Sequence, residues 1–295
     1  MQNKKNKKYL VEKILNGIFL FCGFVTFLCV ILISLYLVIA GIPAITKIGI
    51  KDFIFNRTWA PTAKDNPSYG ILPFILTSIY GVSGAIIIGV PIGLFTAVYI
   101  SKFANPKVKS ILHNTVEILA SIPSVVYGLV GMIVLVPFIQ RKFNLSSGAN
   151  LLCSIIVLAI MILPSIISVC ESGLNAVPEE YEDGSIALGA TEIETYFKVS
   201  IRAAQSSITA AIVLGVGRAI GEAMAIIMVS GNVANMPSLF RSVRFMTTAI
   251  ASEMSYASFG SLQREALFSI GLVLYLFIML INVFLNVFIK KKEEA

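Results

Sequence analysis

Charge is what this sequence has least of. Asp, Glu, Lys and Arg make up 13% of its 295 residues, against about 25% in a soluble globular domain. So few charges cannot clothe a water-facing surface, which excludes an ordinary cytosolic enzyme and any disordered or collagen-like chain. Histidine and tryptophan occur once each and cysteine four times. Cys22, Cys29, Cys153 and Cys170 all fall in or at the ends of apolar runs without metal-ligand spacing, so they read as buried small hydrophobes. One histidine with scattered cysteines supplies neither a nucleophile with its base nor a metal cluster, which removes the grounds for an intramembrane enzyme. A Gly-x-x-x-x-Gly-Lys-Ser/Thr run is missing, so the chain does not cradle ATP phosphates by that device. Missing too is an internal repeat of two halves, the usual mark of a self-contained secondary transporter.

What is present are long charge-free runs: Lys13 to Lys47, Asp65 to Lys102, Glu117 to Arg141, Lys142 to Glu171 and Glu265 to Lys290. Each exceeds the ~20 residues that cross a hydrocarbon core of ~30 Å. A sixth apolar stretch between Arg202 and Arg241 is interrupted only by Arg218 and Glu222. The sequence therefore predicts an all-α polytopic membrane protein with six transmembrane helices, over about 16–41, 72–100, 111–139, 150–170, 204–231 and 265–289. The first run exceeds the ~7–15-residue core of a signal peptide and reads as a retained anchor. The net charge of +7 sits mainly in Lys-rich flanks of the first and last runs, so it reads as a topology signal and not as a nucleic-acid surface. Both termini are expected in the cytoplasm.

Proline and glycine punctuate several runs. Gly89 and Gly93, spaced as G-x-x-x-G, read as plain helix packing. Gly217 and Gly221 share that spacing, but with Gly215, Ala219, Ala223 and Ala225 they surround Arg218 and Glu222 and leave room beside two charges. An arginine near mid-membrane costs roughly 2.5–3.5 kcal/mol on insertion scales. Glu222, four residues on, is expected on the same helical face as its partner. An internal ion pair that neutralises itself is one outcome; a polar pathway whose guanidinium fork faces an oxyanion is the other and the preferred one. His113, one turn before Glu117, reads as a local hydrogen bond.

Between the fourth and fifth runs lie seven of the sixteen acidic residues. Pro178 suits the start of a helix, with Glu179 and Glu180 at the positive end of its dipole. Gly189 reads as its stop. Thr191 with Glu194 forms a capping box opening a second helix that can run on into the fifth span. On the first helix Tyr181, Gly184, Ser185 and Leu188 make one stripe, which by spacing alone fits another protein's surface as well as the chain's own helices.

These residues carry a resemblance. Val177-Pro-Glu-Glu-Tyr-Glu-Asp-Gly-Ser-Ile-Ala-Leu-Gly-Ala-Thr191 resembles the cytoplasmic coupling loop of bacterial binding-protein-dependent ABC importer permeases. Gly217-Arg-Ala-Ile-Gly-Glu-Ala-Met-Ala225, Val229-Ser-Gly-Asn232, Ile122-Pro-Ser-Val-Val-Tyr-Gly128, Trp59-Ala-Pro61 and Tyr69-Gly-Ile-Leu-Pro-Phe74 resemble the phosphate-importing branch of that family. The run around Arg218 is the least specific, since sulfate and molybdate permeases are similar there. The resemblance covers about residues 40–290. It implies a type I ABC importer permease fold, with a permease domain over 71–290 following an anchor and outer loop over 1–70, a coupling loop over 177–200 and a short tail at 291–295.

It further implies that Arg218 and Glu222 act in phosphate passage, with Ser124 and Tyr127 as further pathway candidates. Tyr181, Glu182, Asp183, Gly184, Ser185, Ala187, Leu188 and Gly189 would serve the contact with an ATPase. The implied partners are a homologous second permease (PstA-like), a dimer of ATPase subunits (PstB-like) holding ATP and Mg, and an extracytoplasmic phosphate-binding protein (PstS-like). No cofactor is implied in this chain, and the implied location is a bacterial plasma membrane. Two departures stand out: the family's Glu-Ala-Ala is Asp183-Gly184-Ser185, and the proline usual ahead of the fifth span is Arg202. Because an arginine offset by Glu222 is too little for a phosphate in low dielectric, a second basic group is expected from the partner permease. Another oxyanion, or a secondary anion transporter, stays open as the alternative.

Overall fold

A computed structural model describes residues 2–293 of the chain, with side chains described over 12–284. The side chains of Lys4, Lys5, Lys7, Lys8 and Lys290 to Lys292, part of the basis for the predicted orientation, lie outside the described residues.

In chain order the elements are α1 (Gln2–Ile48), α2 (Ile50–Phe55), a hairpin of β1 (Trp59–Ala60) and β2 (Ser68–Tyr69), and α3 (Leu72–Val98), which a π turn extends over Tyr99–Phe103. Then follow α4 (Pro106–Ser121), α5 (Ser124–Val130), a π turn at Gly131–Leu135, α6 (Val136–Lys142) and α7 (Leu151–Asn175). The loop region holds α8 (Glu179–Ala187), α9 (Glu192–Thr195), a π turn at Tyr196–Ser200 and α10 (Ile201–Ala203). The chain closes with α11 (Gln205–Gly221), α12 (Met224–Val229), α13 (Met246–Glu253) and α14 (Leu262–Glu293). Five helical stretches among the described residues are long and apolar enough to cross a membrane, and a sixth is reached if the pair Glu192–Ala203 and Gln205–Gly221, bent by 70°, counts as one span.

The centre of the bundle is α7, whose buried face packs against α3 and α11. Glycines on α3 set the closeness of the first contact. A Cβ added at Gly84, Gly89 or Gly93 would come within 2.8, 2.8 and 2.7 Å of Ile155, Ile162 and Ile166 respectively. The predicted packing role of Gly89 and Gly93 is thus met, with α7 as the partner. Lipid tails give helices no hydrophobic reason to associate, so this close van der Waals fit is what holds them together. By contrast α1 meets the bundle chiefly along α14, where Ser34 Oγ lies 2.9 Å from Tyr275 Oη and Lys47 pairs with Glu265 at 2.6 Å. Its upper stretch is uncovered, which corrects one expectation: Cys153 and Cys170 are buried, but Cys22 and Cys29 are exposed on α1.

Two spans depart from the predicted continuous helices. The third was expected to run over 111–139, but α4 stops at Ser121 and the spanning stretch is Ser124–Lys142. Pro123 is the cause, because its ring forces Ile122 out of helical geometry, to φ −67° and ψ 126°. The helix α4 is a separate piece, capped by Asn105 through its side chain to Val108 N. The fifth, expected over 204–231, is cut at Glu222, which is extended at φ −73° and ψ 127°.

The loop over 177–200 follows its sequence closely. Pro178 takes the cap position just before α8, Gly189 ends that helix at φ +91°, and the capping box between Thr191 and Glu194 is formed in both directions. The second helix does not run straight into the fifth span. It turns by 70° around Ala204, so the bend occurs with Arg202 where the family's usual proline is lacking.

Candidate functional site

The site is built where the two broken spans meet. The half-helices α5 and α12 pack on each other through Gly128, where an added Cβ would lie 2.7 Å from Ala225 Cα. Both begin at a break, α5 after Pro123 and α12 after Ala223. Irregular backbone at membrane depth survives only inside protein or against a polar cavity, and here specific groups take up the freed bonds. Tyr127 Oη donates to Leu119 O across the first break at 2.7 Å. At the second, Thr247 Oγ1 donates to Glu222 O at 2.8 Å, and the Glu222 carboxylate accepts Ala225 N at 2.9 Å.

Glu222 is therefore a cap and not the partner of Arg218. The predicted ion pair relied on an unbroken helix to put residues 218 and 222 on one face, and the break at Glu222 removes that geometry. Arg218 instead donates from Nη1 to Ser165 Oγ at 3.1 Å, and no carboxylate stands within 4 Å of it among the described residues. It is half-buried in the last turn of α11, where the negative end of the helix dipole favours a cation. Beside it the glycines leave space: among the described residues nothing lies within 4 Å of an added Cβ at Gly217 or Gly221. Tyr127 is half-buried on α5, which packs on α12, the half-helix that follows α11 across the break. Ser124 heads α5 and is half-buried, without a hydrogen bond to Arg218. So Arg218 is held by Ser165, Tyr127 by Leu119 O, and Glu222 is near Arg218 in sequence but turned to its cap. The apolar cavity of about 370 Å³ beside Tyr127, walled by Ile122, Val126, Val130 and Ile156, has no charge to hold an anion.

Ser165 was missed from the sequence. Its only signal was a polar residue just after Pro164 within a charge-free run, and nothing local tied it to a residue 53 positions away.

At the loop end of the bundle, Tyr181 and Leu188 are 56% and 92% exposed, and among the described residues nothing lies within 4 Å of an added Cβ at Gly184. Ser185 instead turns back, accepting from Thr195 Oγ1 at 2.9 Å. The stripe thus faces mainly outward. Glu182, also assigned to the partner contact, is turned inward onto Lys102 and Ser200. His113 makes the predicted contact to Glu117 at 3.3 Å and a second, unforeseen one to the buried Glu171, also at 3.3 Å.

At the opposite end, Glu253 gathers Trp59 Nε1, Gln263 Nε2 and Arg244. Arg244 also donates twice to Asn232 O, at 3.0 and 2.7 Å. This knot ties the Trp59 and Asn232 motifs together around a cavity of about 490 Å³ lined by both polar and apolar side chains.

Comparison with known proteins agrees with this architecture. Residues 89–293 match the family of binding-protein-dependent transport system inner membrane components. The probable ABC transporter permease protein YqgH of Bacillus subtilis is 38% identical, over 88% of this chain and 86% of that protein. The phosphate transport system permease protein PstC of Haemophilus influenzae is 30% identical over 99% and 98%. A probable protein of the same name from Methanocaldococcus jannaschii is 30% identical over 92% and 91%. An inward-facing structure of the MetNI methionine ABC transporter superposes with a TM-score of 0.52 over 75% of this chain and 94% of that one, at 18% identity, a likeness of fold. On the strength of the residues matched, the chain belongs to the family of binding-protein-dependent transport system inner membrane components, as a multi-pass permease subunit of the ABC importer type.

Proposed function

We propose that this subunit forms, with a homologous second permease, the path by which inorganic phosphate handed over by an extracytoplasmic binding protein enters the cytoplasm, driven by ATP hydrolysis on separate ATPase subunits. The observation that carries the reading is Arg218: a guanidinium within a span, bonded to a serine hydroxyl and unmatched by any carboxylate among the described residues. Leaving such a charge without a counter-ion is costly in low dielectric. A passing anion removes that cost for as long as it is bound, and the planar fork matches an oxyanion's geometry. With Glu222 occupied as a cap, the positive field of Arg218 is stronger than the sequence implied. A dianion still calls for a second cation, which we assign to the partner permease.

The named relatives supply the substrate class: proteins 30% identical over nearly their whole length are phosphate permeases. Both termini on the cytoplasmic side put the coupling loop inside, where the exposed Tyr181, Asp183, Gly184, Ala187 and Leu188 meet the ATPase, and put the Trp59–Glu253 knot outside, where the binding protein arrives. The test is uptake of radiolabelled phosphate into proteoliposomes holding the purified assembly, with and without ATP, and with phosphate, sulfate or molybdate as competitors. ATP-dependent uptake that only phosphate competes away is the expected result. Uptake blocked by sulfate or molybdate and not by phosphate overturns the substrate; uptake without ATP overturns the energy source.

A further inference from the structure

The helix α8 has no buried residue, yet in the proposed importer it must pass force into the bundle. We propose that Glu182 and Lys102 form the clasp that carries this motion, making Glu182 a positioning residue that holds α8 to two spans at once. The inference rests on the proposed ATP-driven function and deepens it.

Lys102 Nζ reaches Glu182 Oε1 at 2.5 Å, with the two side chains only 13% and 15% exposed. Ser200 Oγ donates to the same oxygen at 2.8 Å. Among the described residues, the one other side-chain bond of α8 is from Thr195 to Ser185, within the loop itself. Glu182 is thus where α8 is fastened to the membrane bundle. Its two partners come from different places. Lys102 lies in the π turn that prolongs α3, and Ser200 in the π turn just ahead of the 70° bend into α11. Those turns are themselves in contact, with Phe103 edge-on to Tyr196 at 5.2 Å and Lys102 over the Tyr196 ring at 5.9 Å.

The physical consequence follows from what each kind of contact can bear. Exposed apolar side chains slide past one another with little directional preference. A charge-assisted hydrogen bond largely shielded from water is short, directional and costly to stretch. A displacement of α8 by its partner therefore pulls α3 and α11 together, and α11 carries Arg218 in its last turn. The π turns, with their looser i→i+5 pattern, are suited to absorb the change in angle. The clasp was illegible in the sequence because Lys102 and Ser200 lie far from Glu182 along the chain and on either side of it.

The experiment uses the complete importer in proteoliposomes, reading phosphate taken up and ATP hydrolysed in the same sample, with assembly checked by co-purification. Glu182→Gln and Lys102→Met are expected to lower phosphate moved per ATP on the order of tenfold while binding-protein-stimulated hydrolysis continues. Lys102→Arg, which keeps the charge, is expected to retain the ratio. The swap of Lys102→Glu with Glu182→Lys is expected to recover it in large part. Single variants that keep the unsubstituted ratio overturn the clasp. Where a single variant fails to assemble, the swap decides: an assembled, coupled swap supports the clasp, and an unassembled or uncoupled one overturns it. The unsubstituted importer separates the two readings. No ATP-driven phosphate uptake there sinks the proposed function, whereas an unaltered ratio in the variants of a working importer sinks the clasp alone.

Discussion

Two pairs of glycines with the same spacing do opposite work in this bundle. Gly89 and Gly93 on α3 are pressed against Ile162 and Ile166 of α7, with no room for a methyl group. Gly217 and Gly221 on α11 face nothing within 4 Å among the described residues. The spacing G-x-x-x-G states only that a helix has a bare stripe; what lies opposite decides whether the stripe is a seam or an opening. The difference tracks the neighbouring charges. The α3 pair sits among Ile, Val and Leu, and the α11 pair brackets Arg218, whose guanidinium needs space and a polar visitor. One region is scaffold, and under the proposed function the other is where the anion passes.

The largest expected effect breaks the open region chemically. Arg218→Ala is expected to reduce ATP-dependent phosphate uptake to background while the subunit still co-purifies with its partners. Arg218→Lys is expected to keep little of it, because an ammonium on a flexible stem lacks the planar fork. Normal uptake by Arg218→Ala would remove Arg218 from the pathway. Next in size is a bulky residue placed in each pair. Gly93→Leu drives a side chain into Ile166 and is expected to destabilise the chain by about 1–3 kcal/mol, seen as a lower unfolding temperature in detergent. Gly217→Leu is expected to leave that temperature nearly unchanged and to abolish transport. Equal loss of stability in both would show that the opening is closed by packing in the living protein.

Much of the fold was legible because the membrane imposes a crude rule that sequence obeys: the five charge-free runs each hold one long apolar span, and the stretch around Arg218 and Glu222 holds the bent one. The breaks were less legible. Pro123 was visible, but its effect on the span boundary depended on whether neighbours could satisfy the freed backbone, which Tyr127 and Leu119 do. The cut at Glu222 has no proline at all, and depends on Thr247 and Ala225 taking up its polar groups. For the site, Arg218 announced itself as a charge in an apolar run, and Tyr127 came from the motif around Pro123. The expected Arg218–Glu222 pair failed for one reason, that i to i+4 geometry needs a continuous helix. Glu182 was assigned to the contact with an ATPase, and its turn inward onto Lys102 and Ser200 was not foreseen, since orientation around the nine-residue α8 is set by distant partners.

A smaller effect tests the new role of Glu222. As a cap it needs an acceptor and not a charge, so Glu222→Gln is expected to keep α12 in place, whereas Glu222→Ala loses about 1 kcal/mol. Thermal unfolding of the two purified variants compares them directly. If the charge-neutral Gln variant is as damaged as the Ala variant, the carboxylate does more than cap.

The smallest effect is a methyl group, and there the comparison becomes one of sign. A glycine inside a helix leaves the unfolded chain with extra freedom to lose, so alanine at a site with free space stabilises by about 0.4–1 kcal/mol. Gly217 meets that condition in this chain, with open space at its Cβ position. Gly93 does not: its Cβ would sit 2.7 Å from Ile166 Cγ2, a branched side chain held on α7 that cannot swing away cheaply. Overpacking there outweighs the entropic gain. Gly217→Ala is therefore expected to raise the unfolding temperature slightly and Gly93→Ala to lower it, in the same detergent and at the same pH. Shifts of the same sign would mean that α3 and α7 can part enough to admit a methyl group, and the contrast between seam and opening would then be one of degree.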